Sequence, residues 1–410
     1  MKQDLLTSWA TRTMHTLTLV EHQPACGIEL GPEELAALQR VPDLRIEASR
    51  ERPGTYDLTP GSTVGAVRAV ERAIEIRPKI GIDRVLFLIS YALDPARWQN
   101  QGFNFGEADS LLEAVIPGFV TQVARTLRRG VLQGYRTEES ALLTVRGRIR
   151  FEDQIRRRYG LVPPVEVRFD EFTDDIEPNR LIKAAAARLT RLRIRSGAAR
   201  ASLRRFDLAL NGVSLVEYSP VQLPELHYTR INEHYRPAVE LAKLILRSAS
   251  FELSHGRVRV STFLVDMNAV FENFVVVALR ESLGVTEREF PQGARSRPLA
   301  LDIAGKVHLR PDLSWWKDDR CVFVGDVKYK RIQAAGIKHP DLYQLLAYTV
   351  ATRLPSGLLI YAEGEGEPAR HEAVELGKVL EVVALDVSGA PDEILRSVGA
   401  LTRRVREMRA

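Results

Sequence analysis

LRPDLSWWKDDRCVFVGDVKYK, residues 309–330, decides how the C-terminal part of this 410-residue chain is read. Two apolar runs flank a polar centre, the pattern of a β-hairpin. Side chains alternate across a strand. Val324, Asp326, Lys328 and Lys330 therefore share one face, and Phe323, Gly325, Val327 and Tyr329 the other. A three-residue loop at Asp318, Asp319 and Arg320 would set Asp312 opposite Asp326. Two carboxylates that close repel unless a cation lies between them. Oxygen ligands alone favour Mg²⁺ or Mn²⁺. Lys328, one pleat on, is placed to orient an attacking water and to steady developing phosphorane charge. The competing reading is an Asp–Lys ion pair on an exposed strand.

Outward from the hairpin, residues 263–284 read as a long helix carrying Glu272, and residues 286–290 as a strand. Residues 340–354 read as a helix in which Gln344 and Tyr348, four apart, share a face. Strands are expected at 357–362 and 381–387, and an amphipathic helix closes the chain from 391. Residues 14–80 alternate like strands around a short helix at 31–41 and suggest a small barrel or sandwich. From Ile82 the period becomes helical, over 82–93, 111–130 and 177–196, with short strands at 144–151 and 165–172 and a further helix at 235–248. Pro163-Pro164 marks a break between halves. The expected organisation is a β-rich unit at 1–80, a mainly helical partner-engaging region at 81–165, and a helical connector plus catalytic domain at 166–410 with its core at about 260–410. The fold class is α+β or α/β multidomain.

The chain is 45% hydrophobic and 27% charged, as soluble globular proteins are. Its 58 Lys+Arg against 53 Asp+Glu give a net charge of +5, with arginines concentrated in 125–130, 146–158 and 188–205. Such clusters can follow a phosphate backbone, or simply solvate helix faces. Cys26 and Cys321 have no metal-ligand spacing and suit a reducing compartment. Residues 1–15 lack a signal-peptide core, and the longest apolar run, 85–93, is too short for a bilayer; a cytoplasmic protein is expected. No GxxxxGK[ST] occurs, HExxH and nucleophile-elbow patterns are absent, and residues 363–368 (EGEGEP) read as a polar loop rather than a phosphate cradle.

Glu on a helix, PD, DxK, then QxxxY on a helix is an order that resembles the PD-(D/E)xK nuclease superfamily. Residues 77–94, 111–135, 143–151 (LTVRGRIRF), 169–189 (FDEFTDDIEPNRLIKAAAARL), 271–275, 310–313, 325–330 and 341–348 are similar to the McrC family, the nuclease subunit of McrBC modification-dependent restriction systems. The resemblance implies a restriction-endonuclease-like core, a mixed sheet flanked by helices. It implies Mg²⁺- or Mn²⁺-dependent hydrolysis of double-stranded DNA with modified cytosine. Asp312, Asp326 and Lys328 would be the catalytic residues, Glu272 a helix carboxylate, and Gln344 and Tyr348 the auxiliary pair; Asp312, Asp326 and Glu272 would hold the metal. It implies an McrB-like AAA+ GTPase hexamer as partner, which binds the GTP, and pairing of nuclease domains or assemblies for a double-strand cut. The rival class is a catalytically inactive DNA-binding adaptor of such a motor.

Overall fold

The computed structural model describes residues 15–68, 72–93, 95, 111–192, 194, 196–254, 257–292, 297–332, 339–364, 369–374 and 377–409. The reading of residues 1–14, and of 365–368 in the EGEGEP segment, lies outside these residues. The chain divides into two units, one made of Met1–Ala114 with Phe251–Ala410 and the other of Val115–Ser250. Among the described residues no helix is long and apolar enough to cross a membrane.

The first unit opens with β1 (His15–Val20), β2 (Ala25–Ile28), α1 (Pro32–Leu38), β3 (Leu44–Ala48), β4 (Tyr56–Pro60), β5 (Thr63–Arg68), β6 (Arg72–Arg77) and α2 (Ile82–Leu93). Strands β2-β4-β3 form one sheet. Leu38 from α1, Leu58 from β4, and Ile74 and Ile76 from β6 are buried together, so the alternation seen in the sequence does bury one face of each strand.

The second unit follows, with α3 (Leu111–Leu127), β7 (Gly134–Leu142), β8 (Arg148–Ile149), α4 (Phe151–Arg158), β9 (Val165–Thr173), α5 (Glu177–Thr190), α6 (Gly197–Ala209) and α7 (Arg236–Ser248). The expected strand at 144–151 shrinks to two residues because α4 begins at Phe151. The helix expected over 177–196 ends at Thr190, and Ser196 caps a separate helix by accepting from the Ala199 amide at 3.2 Å. Strand β7 pairs with β9 along its whole length, from Gly134↔Thr173 to Leu142↔Val165. Pro163-Pro164 therefore falls between α4 and β9, and the expected division at 165 cuts through a three-stranded sheet, β7-β9-β8. The TDDIEPNRLIK run (173–183) buckles this unit. Asp175 accepts from Arg180 Nε at 2.7 Å, from the Ser214 amide at 2.9 Å and hydroxyl at 2.7 Å, and from the Arg136 guanidinium. The Arg180 hydrogen bond, with the others, holds this carboxyl far below its ordinary range. Asn179 Nδ2 donates to the Leu132 and Asp174 carbonyls, and Lys183 Nζ to those of Leu210 and Val213.

The chain then returns to the first unit through β10 (Ala249–Ser254), β11 (Arg257–Asp266), α8 (Met267–Leu283), β12 (Leu299–Ala300), β13 (His308–Leu309), β14 (Leu313–Lys317), β15 (Arg320–Ile332), α9 (His339–Thr352), β16 (Ser356–Gly364), β17 (Ala369–Ala373), β18 (Lys378–Ala384) and α10 (Pro391–Met408). Strand β11 pairs antiparallel with β5 and completes a five-stranded sheet, β1-β6-β5-β11-β10. The N-terminal strands are thus not a closed unit of their own. Gly65 lies at this seam with φ 132°, where a β-carbon would stand 2.0 Å from the Phe263 carbonyl oxygen. The helix expected from residue 263 starts at Met267, since 263–266 finish β11 and Asp266 caps the helix, accepting from the Asn268 amide at 2.9 Å. The strand expected at 286–290 is a turn. Glu289 Oε2 accepts from both the amide and the hydroxyl of Thr286, and this local pairing displaces extended backbone.

The hairpin sits in a second five-stranded sheet, ordered β14-β15-β16-β18-β17. β14 and β15 are antiparallel; β15, β16 and β18 are parallel. The turn has two residues, Asp318 (φ 47°) and Asp319 (φ 63°), not three. A bulge then leaves Val322 between the pairs Trp316↔Cys321 and Trp315↔Phe323. One residue fewer in the turn and one more in the strand leave the register where a three-residue loop would have set it, with Leu313 opposite Gly325.

Candidate functional site

Strand β15 is interior to its sheet, so Asp326 is fully buried. Gly325 permits the close approach beside it: a β-carbon there would lie 2.7 Å from the Leu358 carbonyl oxygen of β16. Asp312 stands just before β14 and takes the place of a ladder carbonyl, its Oδ2 accepting from the Val327 amide at 2.9 Å. That bond seats the Asp312 carboxylate across from Asp326, as the hairpin reading requires. Lys328 Nζ lies 2.5 Å from Asp326 Oδ2 with its side chain 20% exposed. The ammonium and the carboxylate form a close ion pair inside the sheet.

Burial, then the charge of Asp312, pushes the Asp326 carboxyl up from its ordinary value. Burial and then the charge of Glu272 push Asp312 up as well. Glu272, half-buried on α8, is raised by burial and by the nearness of Asp326, with Lys328 opposing. Burial would lower Lys328, but Asp326, Asp312 and Asp341 outweigh it and keep the ammonium charged. Three carboxyls and one lysine thus act on each other electrostatically, from α8, the approach to β14, and β15.

Gln344 and Tyr348 form one arm. Gln344 Nε2 donates to the Tyr348 hydroxyl at 2.6 Å, and that hydroxyl donates to the Arg310 carbonyl at 3.0 Å. The pair therefore grips the main chain two residues before Asp312. A second arm was not anticipated. Asp341, seven residues before Tyr348 and so two turns away on the same face of α9, accepts from the Tyr361 hydroxyl at 2.7 Å and faces Lys330 Nζ at 3.4 Å. The signal was present in HPDLYQLLAY (339–348), but an Asp near a helix start reads first as a dipole partner.

A fully buried carboxylate beside a second carboxylate of raised pKa suits a hard divalent cation. Among the described residues no three His, Cys, Asp or Glu side chains converge as a finished cage. Asp312 and Asp326 would hold Mg²⁺ or Mn²⁺ together with water or phosphate oxygens, which Mg²⁺ ordinarily retains.

A family model described as McrBC 5-methylcytosine restriction system component matches residues 58–362. No curated protein matches the chain. Among solved structures, a chain of the half-complex of Thermococcus gammatolerans McrB AAA+ hexamers with bound McrC is 20% identical, with a TM-score of 0.53 over 95% of this chain and 100% of that one. A chain of the Thermococcus gammatolerans McrBC complex is 23% identical, with a TM-score of 0.40 over 65% of this chain and 88% of that one.

Proposed function

Because this chain belongs to the McrBC 5-methylcytosine restriction system component family, we propose that it is the nuclease subunit of an McrBC-like complex. Its core would be of the PD-(D/E)xK type, and its reaction the hydrolysis of phosphodiesters in double-stranded DNA carrying modified cytosine. The observation that carries this is Asp326, fully buried, with Lys328 Nζ 2.5 Å away and the Asp312 carboxylate held beside it by the Val327 amide. Mg²⁺ or Mn²⁺ bound there supplies positive charge that polarises the scissile phosphate. Asp312 and Asp326 hold it, with Glu272 as a third acidic group. Lys328 turns its ammonium toward the phosphate and the attacking water and offsets charge that grows on the phosphoryl oxygens. Gln344 and Tyr348 fix the Arg310 main chain and so the position of Asp312.

The chain carries no phosphate-binding loop, so GTP would belong to a partner resembling the McrB AAA+ hexamers of the similar assembly. The surface offered to that partner lies in the 115–250 unit, where Tyr135, Phe151, Ile155, Tyr159, Leu161 and Phe172 are all more than half exposed. A double-strand cut would need two such centres. The test is cleavage of methylated and unmethylated plasmid in Mg²⁺, with and without the motor and GTP. Cleavage that requires methylation, motor, GTP and Asp326 fits. Stimulated GTP hydrolysis without cleavage under any condition would leave the inactive-adaptor reading.

A further inference from the structure

Tyr329 follows Lys328 on β15 and points to the other face, where it is 1% exposed. Its hydroxyl donates to Glu21 Oε2 at 3.3 Å. Glu21 is also 1% exposed and follows β1; the same Oε2 accepts from the Lys79 amide at 3.0 Å. The Lys79 ammonium stands 4.3 Å from the centre of the Tyr329 ring, and the ring of Phe271 packs 5.8 Å away on another side. Phe271 immediately precedes Glu272. One buried tyrosine, itself next to Lys328, therefore packs on the residue next to Glu272 on another element, and its polar end is tied to the residue that follows β1.

We infer that Glu21 is a positioning residue, which through Tyr329 and Phe271 fixes the spacing between the strand carrying Asp326 and Lys328 and the helix carrying Glu272. This rests on the nuclease reading for its consequence but not for its geometry. Glu21 lies before residue 58, outside the stretch that the family model matches, so the support comes from a part of the chain that the family pattern does not describe. Burying a carboxylate is costly, and an apolar residue would fill the same space at less cost. What only an oxygen acceptor supplies here is the directed bond to Tyr329 and to the Lys79 amide. Ser62 Oγ and Glu21 Oε1 both face Nε2 of His22, each at 3.4 Å, so the His22 ring does not pass a proton between these two groups.

The test compares Glu21→Ala, Glu21→Gln and Tyr329→Phe in the full chain. Mn²⁺ binding is followed by calorimetry, amide exchange over 267–283 and 320–332 by mass spectrometry, and DNA cleavage with motor and GTP. Glu21→Ala and Tyr329→Phe should weaken Mn²⁺ binding about tenfold and quicken exchange in both segments, lowering kcat with KM for DNA unchanged. Glu21→Gln keeps a carbonyl acceptor and should return both to within about twofold of wild type. Unchanged Mn²⁺ binding and exchange in Glu21→Ala, or a Gln variant as impaired as the Ala variant, would overturn the inference. If instead the wild-type chain neither cleaves nor loses Mn²⁺ binding in Asp326→Ala, the nuclease reading is what fails, and the exchange measurement still decides the role of Glu21.

Discussion

Asp326 is fully buried beside a second carboxylate, so its ionised form depends on Lys328 or on a bound cation. Replacing Asp312, Asp326 or Lys328 with Ala should lower cleavage by at least about a thousandfold while the far-UV circular dichroism stays that of wild type, because each change removes a charge at the reacting centre and little core volume. Asp326→Ala cleaving near the wild-type rate would end the assignment. The same burial gives a pH signature. The pKa values of Asp312, Asp326, Glu272 and Glu21 are all raised, Glu21 to about 6 chiefly by burial, with Lys79 and Tyr329 opposing and Asp43 adding to it. A carboxyl raised in the fold contributes stability that is complete below its unfolded value and is lost as pH rises through the folded one. Without metal, the chain should therefore melt at lower temperature at about pH 8 than at about pH 5. Glu21→Gln should remove roughly 1 kcal/mol of that difference, and saturating Mg²⁺ should reverse the part due to Asp312 and Asp326. A melting temperature indifferent to pH and to Mg²⁺ would contradict both statements.

At the scale of elements, the β14–β15 hairpin keeps its register by a two-residue turn and a bulge that compensate each other. Deleting Val322 should leave Trp315 opposite Phe323 and Asp312 opposite Asp326, and cleavage should survive within about tenfold. Deleting Ser314 should move Asp312 by one pleat, and cleavage should vanish. If both deletions behave alike, register does not control the site. This hairpin also shows what a sequence discloses. An apolar face tolerates only every second register, and a three-residue loop and the observed two-residue turn with its bulge both bring Asp312 opposite Asp326. Strand β11 stayed hidden because residues 263–266 (FLVD) run into a helix without a turn, and the 286–290 turn stayed hidden because its Thr–Glu pairing competes with an apparently strand-like composition. Tyr329 and Glu21 lie 308 positions apart, and no local pattern links them.

The whole molecule is built as one unit with another inserted: residues 115–250 interrupt a unit that resumes at 251. The 115–250 segment, expressed alone, should fold cooperatively and, on the function proposed above, raise GTP hydrolysis by the motor. A fragment of residues 1–165 should do neither, because it separates β7 from β9 and leaves β5 without β11; circular dichroism melts and GTPase assays of the two fragments decide this. The insertion also sets an order of events during synthesis. Strands β1, β5 and β6 leave the ribosome early, but β11, the second partner of β5, is not made until the inserted unit has been translated, an interval on the order of 10–40 s at about 5–20 residues per second. Through that interval an apolar sheet edge is held open while the inserted segment, continuous in sequence, is free to fold first. Codon choice that slows translation within 115–250 should therefore lower soluble yield by prolonging the exposure of β5, whereas the same slowing after residue 266 should not.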